Sequence, residues 1–294
     1  MTINQVQVYT VNAFTYQGKG GNPAGVVPDA DSLSSQQMQD IARQMGYPET
    51  AFVCSPEQDS AANLKVRFFT PTAEVDFCGH ATLATFSLLW KQQTLSAGNY
   101  IQATGAGLLK VSITENGQVS MDQQLPEFLQ TFSADVIAPL LNLPATELST
   151  GLPIQAVSTG LADILVPLPA KTLNRLTPDY TALSQFCQQH NLIGLHAFEL
   201  QPAGSVFSAE CRNFAPLFGI PEEAATGSSN GALACYLQTY CCTEQTEFSF
   251  LQGRSLGQTS QVNSKLQIHQ ERINRVQVSG TAQQISQQRV TVTE

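Results

Sequence analysis

The feature that most constrains this chain is that its second half repeats the first in order and spacing. In the first half, Val6 and Val8 alternate in a strand over 5–10. A short apolar strand at 24–27 follows the turn-rich Gly18-Lys-Gly-Gly-Asn-Pro23. A helix is expected from Ser34, where Ser34 and Gln37 have capping-box spacing, Leu33 and Met38 can staple the entry, and Met38, Ile41, Ala42 and Met45 share a face. Strands are expected at 50–54 and 64–69, then an apolar helix over 80–91 directly after Cys78-Gly79. The second half answers in turn. Residues 162–166 end in Pro167 as 26–27 end in Pro28, and Leu176-Thr177 precedes a helix carrying Tyr180, Leu183, Phe186 and Cys187. Ala197-Phe198 answers Ala51-Phe52, 146 positions on, and Arg212-Asn-Phe-Ala-Pro216 answers Arg67-Phe-Phe-Thr-Pro71, 145 positions on. Gly79 opens one apolar helix and Gly227 the other.

Strand-like segments at 108–114, 118–121, 266–269, 273–278 and 289–293 complete the pattern. Many strands and few helices per half predict an α+β fold rather than a parallel doubly wound sheet. The expected halves are residues 1–117, completed by a C-terminal strand at 282–294, and residues 118–281, joined within 117–126.

Of the 294 residues 42% are hydrophobic, enough to bury a sizeable core. Fourteen Lys and Arg against 23 Asp and Glu give a net charge of −9, which argues against nucleic acid and anionic membrane as partners. An acidic small molecule is still allowed, since it needs only local donors. The first residues do not read as a signal peptide, and no window reaches the ~18 apolar residues of a membrane span. Seven cysteines, without a CxxC, fit a reduced cytoplasmic setting.

The chemistry is expected at the two glycine-opened helix starts, Asp76-Phe-Cys78-Gly79-His80-Ala-Thr82 and Glu223-Ala-Ala-Thr226-Gly227-Ser228-Ser229. A helix start leaves N–H groups unpaired and carries partial positive charge, so it binds anions. One such start reads as ordinary capping; two at matched repeat positions favour a site that holds a carboxylate or a developing enolate. His80, the one histidine of four in such a turn, can donate to a substrate or relay a proton. Glu49, in Tyr47-Pro48-Glu49-Thr50, is either a solvated loop carboxylate or a held one whose pKa is raised for acid/base work. Glu223 and Asp76 are further carboxylates beside the helix starts, where either could be an N-cap. Cys78 lies where the helix dipole favours thiolate, but the matched position in the second half falls near Thr226. The remaining histidines lack metal-ligand spacing, and neither GxGxxG nor a P-loop is present, so no metal and no cofactor are expected.

The strings Gly21-Asn22-Pro23-Ala24-Gly25-Val26-Val27, Glu49-Thr50-Ala51-Phe52-Val53, Arg67-Phe-Phe-Thr-Pro71, Cys78-Gly79-His80-Ala81-Thr82 and Ala225-Thr226-Gly227-Ser228, in this order, resemble the phenazine-biosynthesis PhzF-like family over nearly the whole chain. The resemblance implies a diaminopimelate-epimerase-like fold: two pseudo-symmetric halves, each a mixed sheet wrapped around a central helix, with the active site between them. It implies a cofactor-independent isomerase of a small carboxylate metabolite, the best understood relative moving a hydrogen within a dihydro-hydroxyanthranilate ring, and a homodimer. By position, Glu49 matches the family's acid/base glutamate and His80 its active-site histidine. Gly79 and Ser228 match carboxylate-contacting groups, with Thr226 and Gly227 beside them, and Asn22 matches a substrate-side residue. Two departures stand out: Glu223 replaces the usual Asp, and Pro48 replaces a Ser before the glutamate. Thr226 in place of a second cysteine disfavours a two-thiol epimerase. A single-thiol racemase using Cys78, and a catalytically silent binding protein of the same fold, are the alternatives.

Overall fold

The computed structural model describes residues 3–148 and 150–293. It divides into two compact units: the described residues up to Asp122 with those from Ser279 onward, and Gln123 to Val278. The first unit begins β1 (Ile3–Ala13), β2 (Asn22–Val27), α1 (Ser35–Met45), β3 (Glu49–Cys54) and β4 (Leu64–Phe69). It continues through β5 (Glu74–Val75), α2 (Gly79–Lys91), β6 (Gly98–Thr104), β7 (Gly107–Ile113) and β8 (Val119–Gln123). The second opens with β9 (Glu127–Phe132) and one turn of helix, α3 (Ala134–Ile137), before β10 (Ile154–Ser158), β11 (Ala162–Leu168), α4 (Tyr180–His190) and β12 (Gly194–Leu200). Then come β13 (Ala209–Ala215), β14 (Ile220–Glu223), α5 (Gly227–Tyr240), β15 (Glu247–Gln252), β16 (Ser260–His269) and β17 (Arg272–Gly280). The last strand, β18 (Ala282–Thr293), returns to the first unit and runs antiparallel to β1.

The strand pairings give the repeat its physical form. In the first unit β1–β2 is antiparallel, β2–β3 parallel, β3–β4 and β4–β5 antiparallel, β4–β6 parallel and β6–β7 antiparallel. In the second, β10–β11 is antiparallel, β11–β12 parallel, β12–β13 and β13–β14 antiparallel, β13–β15 parallel and β15–β16 antiparallel. The two series are the same, and mixed sheets with few helices make the fold α+β. Against the expected break at 117/118, the first unit runs on to Asp122, because β8 stays paired with β7. It resumes at Ser279 rather than 282. Gly280 lies against Phe14 and Leu83, and Thr281 exchanges hydrogen bonds with Thr15, which ties these residues to the first unit.

Each unit is built on a helix that is buried all round. In α2 residues 80–89 are all buried, with no charge before Lys91; a helix apolar on every face must be sheathed, and β1, β2, β3, β7 and β18 touch it. In α5 residues 229–237 are buried against β10, β11, β15 and β16. The helix α1 shows the opposite design, a single apolar stripe of Met38, Ile41, Ala42 and Met45. Ser34 and Gln37 close a capping box at its start, and Gly46 ends it in the left-handed region at φ 66°. The cap of α4 is Asp179, its carboxylate accepting from Thr181 N and Ala182 N.

Matched arginines fix the equivalence of the units. Arg67 makes two 2.7 Å bonds to Glu74 and lies 5.1 Å over Phe69; Arg212 makes bonds of 2.9 and 2.7 Å to Glu222 and lies 5.0 Å over Phe214. Opposite Arg67 in the ladder is Phe52, but opposite Arg212 is Ala197. The sequence match of Phe52 with Phe198 is therefore one residue out. Phe52 packs with Met38 and Ile41 of α1, whereas Phe198 packs with Tyr236 of α5, on the other face of its sheet.

Candidate active site

In the first unit the backbone brings a strand start against a helix start. After the Gly46 cap, Tyr47 and Pro48 turn the chain, and Glu49 becomes the first residue of β3, parallel to β2 and opposite Ala24. Glu49 is thus a strand residue rather than a loop one, and its side chain is only 15% exposed. Asn22 begins the adjacent strand β2 and is buried. Cys78 is the N-cap of α2 and gives it no side-chain cap bond; Gly79 and His80 form the first turn.

Three side chains converge there. His80 Nε2 lies 3.3 Å from Glu49 Oε2, and His80 Nδ1 lies 3.3 Å from Cys78 Sγ. The approach of Nε2 lacks hydrogen-bond alignment, so Oε2, shut from solvent, has no aligned donor among the described residues. Burial raises the pKa of Glu49 above the ordinary glutamate value, and a hydrogen bond from the Cys78 thiol partly opposes the rise. A carboxyl so placed keeps its proton more readily than a solvated one and gives up less solvation when it accepts one. Among the described residues, Glu49, Cys78 and His80 are also the one set whose ligand atoms, all within 4.8 Å of one another, could hold a metal ion.

In the second unit Glu223 ends β14, Thr226 is the N-cap of α5, and Gly227 and Ser228 open the helix. Thr226 does not cap; its hydroxyl donates to Glu223 Oε2 at 2.5 Å. Gln252, fully buried on β15, holds this turn from below. Its Oε1 accepts from Thr226 N (3.2 Å) and Asn230 Nδ2 (2.7 Å), and its Nε2 donates to Glu223 O (2.9 Å) and Thr226 Oγ1 (3.0 Å). The first unit has a sparser counterpart, Gln102 Nε2 donating to Thr82 Oγ1 at 3.2 Å on the matched helix turn.

Sequence reasoning passed over a second polar cluster in this unit. The Ser229 hydroxyl donates to Asp163 Oδ2, and Asn213 Nδ2 reaches Asp163 Oδ2 (3.3 Å), Ser229 Oγ (3.2 Å) and His196 Nδ1 (3.2 Å). All four residues are buried. Burial pushes Asp163 up to about 6, with the Ser229 and Asn213 bonds and the Gly194 N–H pulling down. It pushes His196 down to about 3, so the imidazole is neutral. The one signal in the sequence was the polar pair Ser229-Asn230 inside an apolar helix.

The phenazine biosynthesis-like protein family (PhzC-PhzF) matches residues 11–288. The uncharacterized isomerase YddE of Escherichia coli K12 is 33% identical over 287 residues, spanning 94% of this chain and 95% of that protein. The trans-2,3-dihydro-3-hydroxyanthranilate isomerase of Pseudomonas fluorescens is 35% identical over 279 residues, 92% and 94% of the two chains. Among solved structures, the Bacillus anthracis phenazine biosynthesis protein of the PhzF family superposes with a TM-score of 0.89 at 28% identity, over 99% of this chain and all of that one. A hydroxyproline epimerase from Agrobacterium vitis, at 12% identity and a TM-score of 0.62 over 99% and 92%, shares the fold. With sequence and structure agreeing over almost every residue, the chain belongs to the phenazine biosynthesis-like PhzC-PhzF family of isomerases.

Proposed function

We propose that the chain moves a proton on a small carboxylate metabolite, with Glu49 as the acid/base. The observation that carries this reading is a buried carboxylate of raised pKa, 3.3 Å from an imidazole, at the start of a buried helix. Glu49 as carboxylate takes a proton from a substrate carbon. The electron pair shifts along the conjugated system, and the same carboxyl returns the proton to another carbon, so no atom is gained or lost. His80 steadies the charge that comes and goes on Glu49. The uncapped N–H groups at Gly79, with the helix dipole behind them, suit a substrate carboxylate. Thr226, Gly227 and Ser228 are the matched group on α5 and are assigned to substrate with Asn22. Glu223 is assigned an assisting catalytic role, its carboxylate held by Thr226, while Glu49 alone carries the proton. The carbon skeleton is proposed to be of the class named for the Pseudomonas relative, a cyclic amino acid with a ring double bond.

The test is Glu49→Gln, which keeps size and removes the acceptor. Given trans-2,3-dihydro-3-hydroxyanthranilate or related cyclic carboxylates in D2O, turnover and deuterium wash-in should both fall by about 10²–10⁴ while ligand binding persists. Unchanged wash-in would sink the assignment. A second reading, a single-thiol racemase, is favoured only by the 3.3 Å contact of Cys78 Sγ with His80 Nδ1. Cys78→Ala separates the two: the first reading expects most activity to remain. A loss beyond about a hundredfold, roughly 2.7 kcal/mol in the barrier, promotes the second.

A further inference from the structure

We propose that Gln252 is a positioning residue of the isomerase: through the Thr226 hydroxyl it fixes Glu223 in place as a hydrogen-bond acceptor for the substrate. The catalytic consequence rests on the assisting role proposed for Glu223; the hydrogen-bond chain does not. Gln252 is fully buried on β15, and two backbone groups decide which way its amide faces. Thr226 N can only donate, so the amide atom 3.2 Å from it is the oxygen. Glu223 O can only accept, so the atom 2.9 Å from it is the nitrogen. An amide nitrogen has protons to give and no lone pair to offer, so at Thr226 Oγ1, 3.0 Å away, Nε2 again donates. The threonine hydroxyl has one proton. With its oxygen receiving from Gln252, that proton is left for Glu223 Oε2 at 2.5 Å, the length of a strong bond to a carboxylate. Asn230 Nδ2, 2.7 Å from Oε1, takes the last hydrogen-bonding position of the amide, so Gln252 has no second orientation to adopt. Every bond in the chain is thus directed from its buried end toward Glu223, which is half-buried.

The first unit lacks this arrangement. On α2 Cys78 stands where Thr226 stands on α5. Gln102 donates to Thr82 Oγ1, but its own Oε1 has no partner among the described residues. Glu49 Oε2 likewise lacks an aligned donor, so it has a lone pair with which to take up a proton. Glu223 Oε2 is already engaged by a hydroxyl. The two carboxylates are thereby given different tasks, one to titrate and one to stay where it is held. Holding matters because a displacement of the substrate by about 1 Å can cost about a hundredfold in rate.

Two sets of measurements test the chain and its consequence. Urea unfolding of Gln252→Leu, Thr226→Val, Glu223→Ala and the paired variants needs no substrate. Gln252→Leu with Thr226→Val, and Thr226→Val with Glu223→Ala, should each be non-additive by about fivefold or more in the unfolding equilibrium constant. Additive effects in either pair overturn the chain. Deuterium wash-in then tests the catalytic role. Gln252→Leu and Thr226→Val should each lower it by about tenfold or more, and Thr226→Ser, which keeps the hydroxyl, should recover at least about fivefold of the loss. In Glu223→Ala, where the chain has no end to hold, adding Gln252→Leu should change wash-in by less than about twofold. A further loss there as large as in the parent shows that Gln252 supports the fold alone and overturns the positioning role, as does Thr226→Ser no better than Thr226→Val. If no compound shows wash-in, the isomerase reading fails, while the unfolding measurements still decide the chain.

Discussion

Replacing Asp163 by Asn should change how the stability of the protein depends on pH, by an amount set by the burial of this carboxyl. Asp163 is enclosed among Ser229, Asn213 and the Gly194 N–H and titrates at about 6, against an ordinary value of 3.8. Between those two pH values the unfolded chain carries the ionised carboxylate while the folded one stays protonated. The folded state then binds more protons, so stability falls as pH rises. At about 1.4 kcal/mol per pH unit the loss is about 3 kcal/mol, spread over pH ~4 to ~6 and level above. His196, held neutral with its pKa near 3, acts in the opposite sense, because its unfolded form takes up protons below about 6.5. It is present in both proteins, so its contribution cancels in the difference. Urea unfolding of the parent and of Asp163→Asn, followed by far-UV circular dichroism at half-unit steps from pH 4 to 8, gives that difference. The chain's one tryptophan, Trp90, lies on α2 in the first unit and would report the wrong one. The parent should lose about 3 kcal/mol relative to Asp163→Asn between pH 4 and 6.5. Parallel curves would refute the account of Asp163 as a desolvated acid.

The matched arginine pairs should differ in worth. Arg212 and Glu222 are 12% and 7% exposed, Arg67 and Glu74 23% and 45%, so Glu222→Gln should cost about 3 kcal/mol and Glu74→Gln about 1 or less by chemical denaturation. Gly117 has φ +79° and no room for a Cβ, which would meet Trp90 at 2.3 Å; Gly117→Ala should destabilise by about 1–3 kcal/mol and shift Trp90 fluorescence. Gln252→Leu strips two acceptor contacts and two donor contacts from the turn before α5. It should cost about 2 kcal/mol or more and raise amide exchange at Thr226 and Asn230; unchanged protection would show that the glutamine does not hold this turn.

The parts of the fold legible in the sequence were those where local chemistry and long-range packing agree. The stripe of α1 is the buried face of that helix, and its Ser34–Gln37 box is the observed cap. Both central helices could be found because no charge interrupts them. Strands β5, β6, β9, β10, β14 and β15 were not expected. Residues 127–131 of β9 are exposed on both faces, so no alternation marks it, and β6 begins with a glycine that gives no strand signal. The buried polar groups divide in the same way. Glu49 looked like a loop residue because Pro48 hides the strand it begins, and only the parallel pairing of Ala24 with Glu49 explains why it is held. Asp163, His196 and Asn213 come from three strands and meet only in the folded unit, so no spacing could have announced them.

The duplicated topology also limits the chemistry that the two units can share. Equating Phe52 with Ala197 through their arginine partners makes Gly194 the counterpart of Glu49 and Asp163 the counterpart of Ala24. No side chain fits at Gly194, since a Cβ there would lie 2.2 Å from Phe214 O. On this strand pair the second unit carries a carboxylate one strand over, at Asp163, and engages it in bonds from Ser229 and Asn213. At the matched helix starts, Cys78 and His80 of α2 face Thr226 and Ser228 of α5 in the alignment, thiol and imidazole against two hydroxyls. A two-base racemisation needs an acid on one side of the carbon and a base on the other, and a duplicated fold would supply them as equivalent groups. Here the repeat places a buried carboxyl with an imidazole in one unit, and hydroxyls with backbone N–H groups at the equivalent positions of the other. That asymmetry supports a mechanism in which one carboxyl both takes and returns the proton, the pattern of an isomerase that shifts a hydrogen along its substrate.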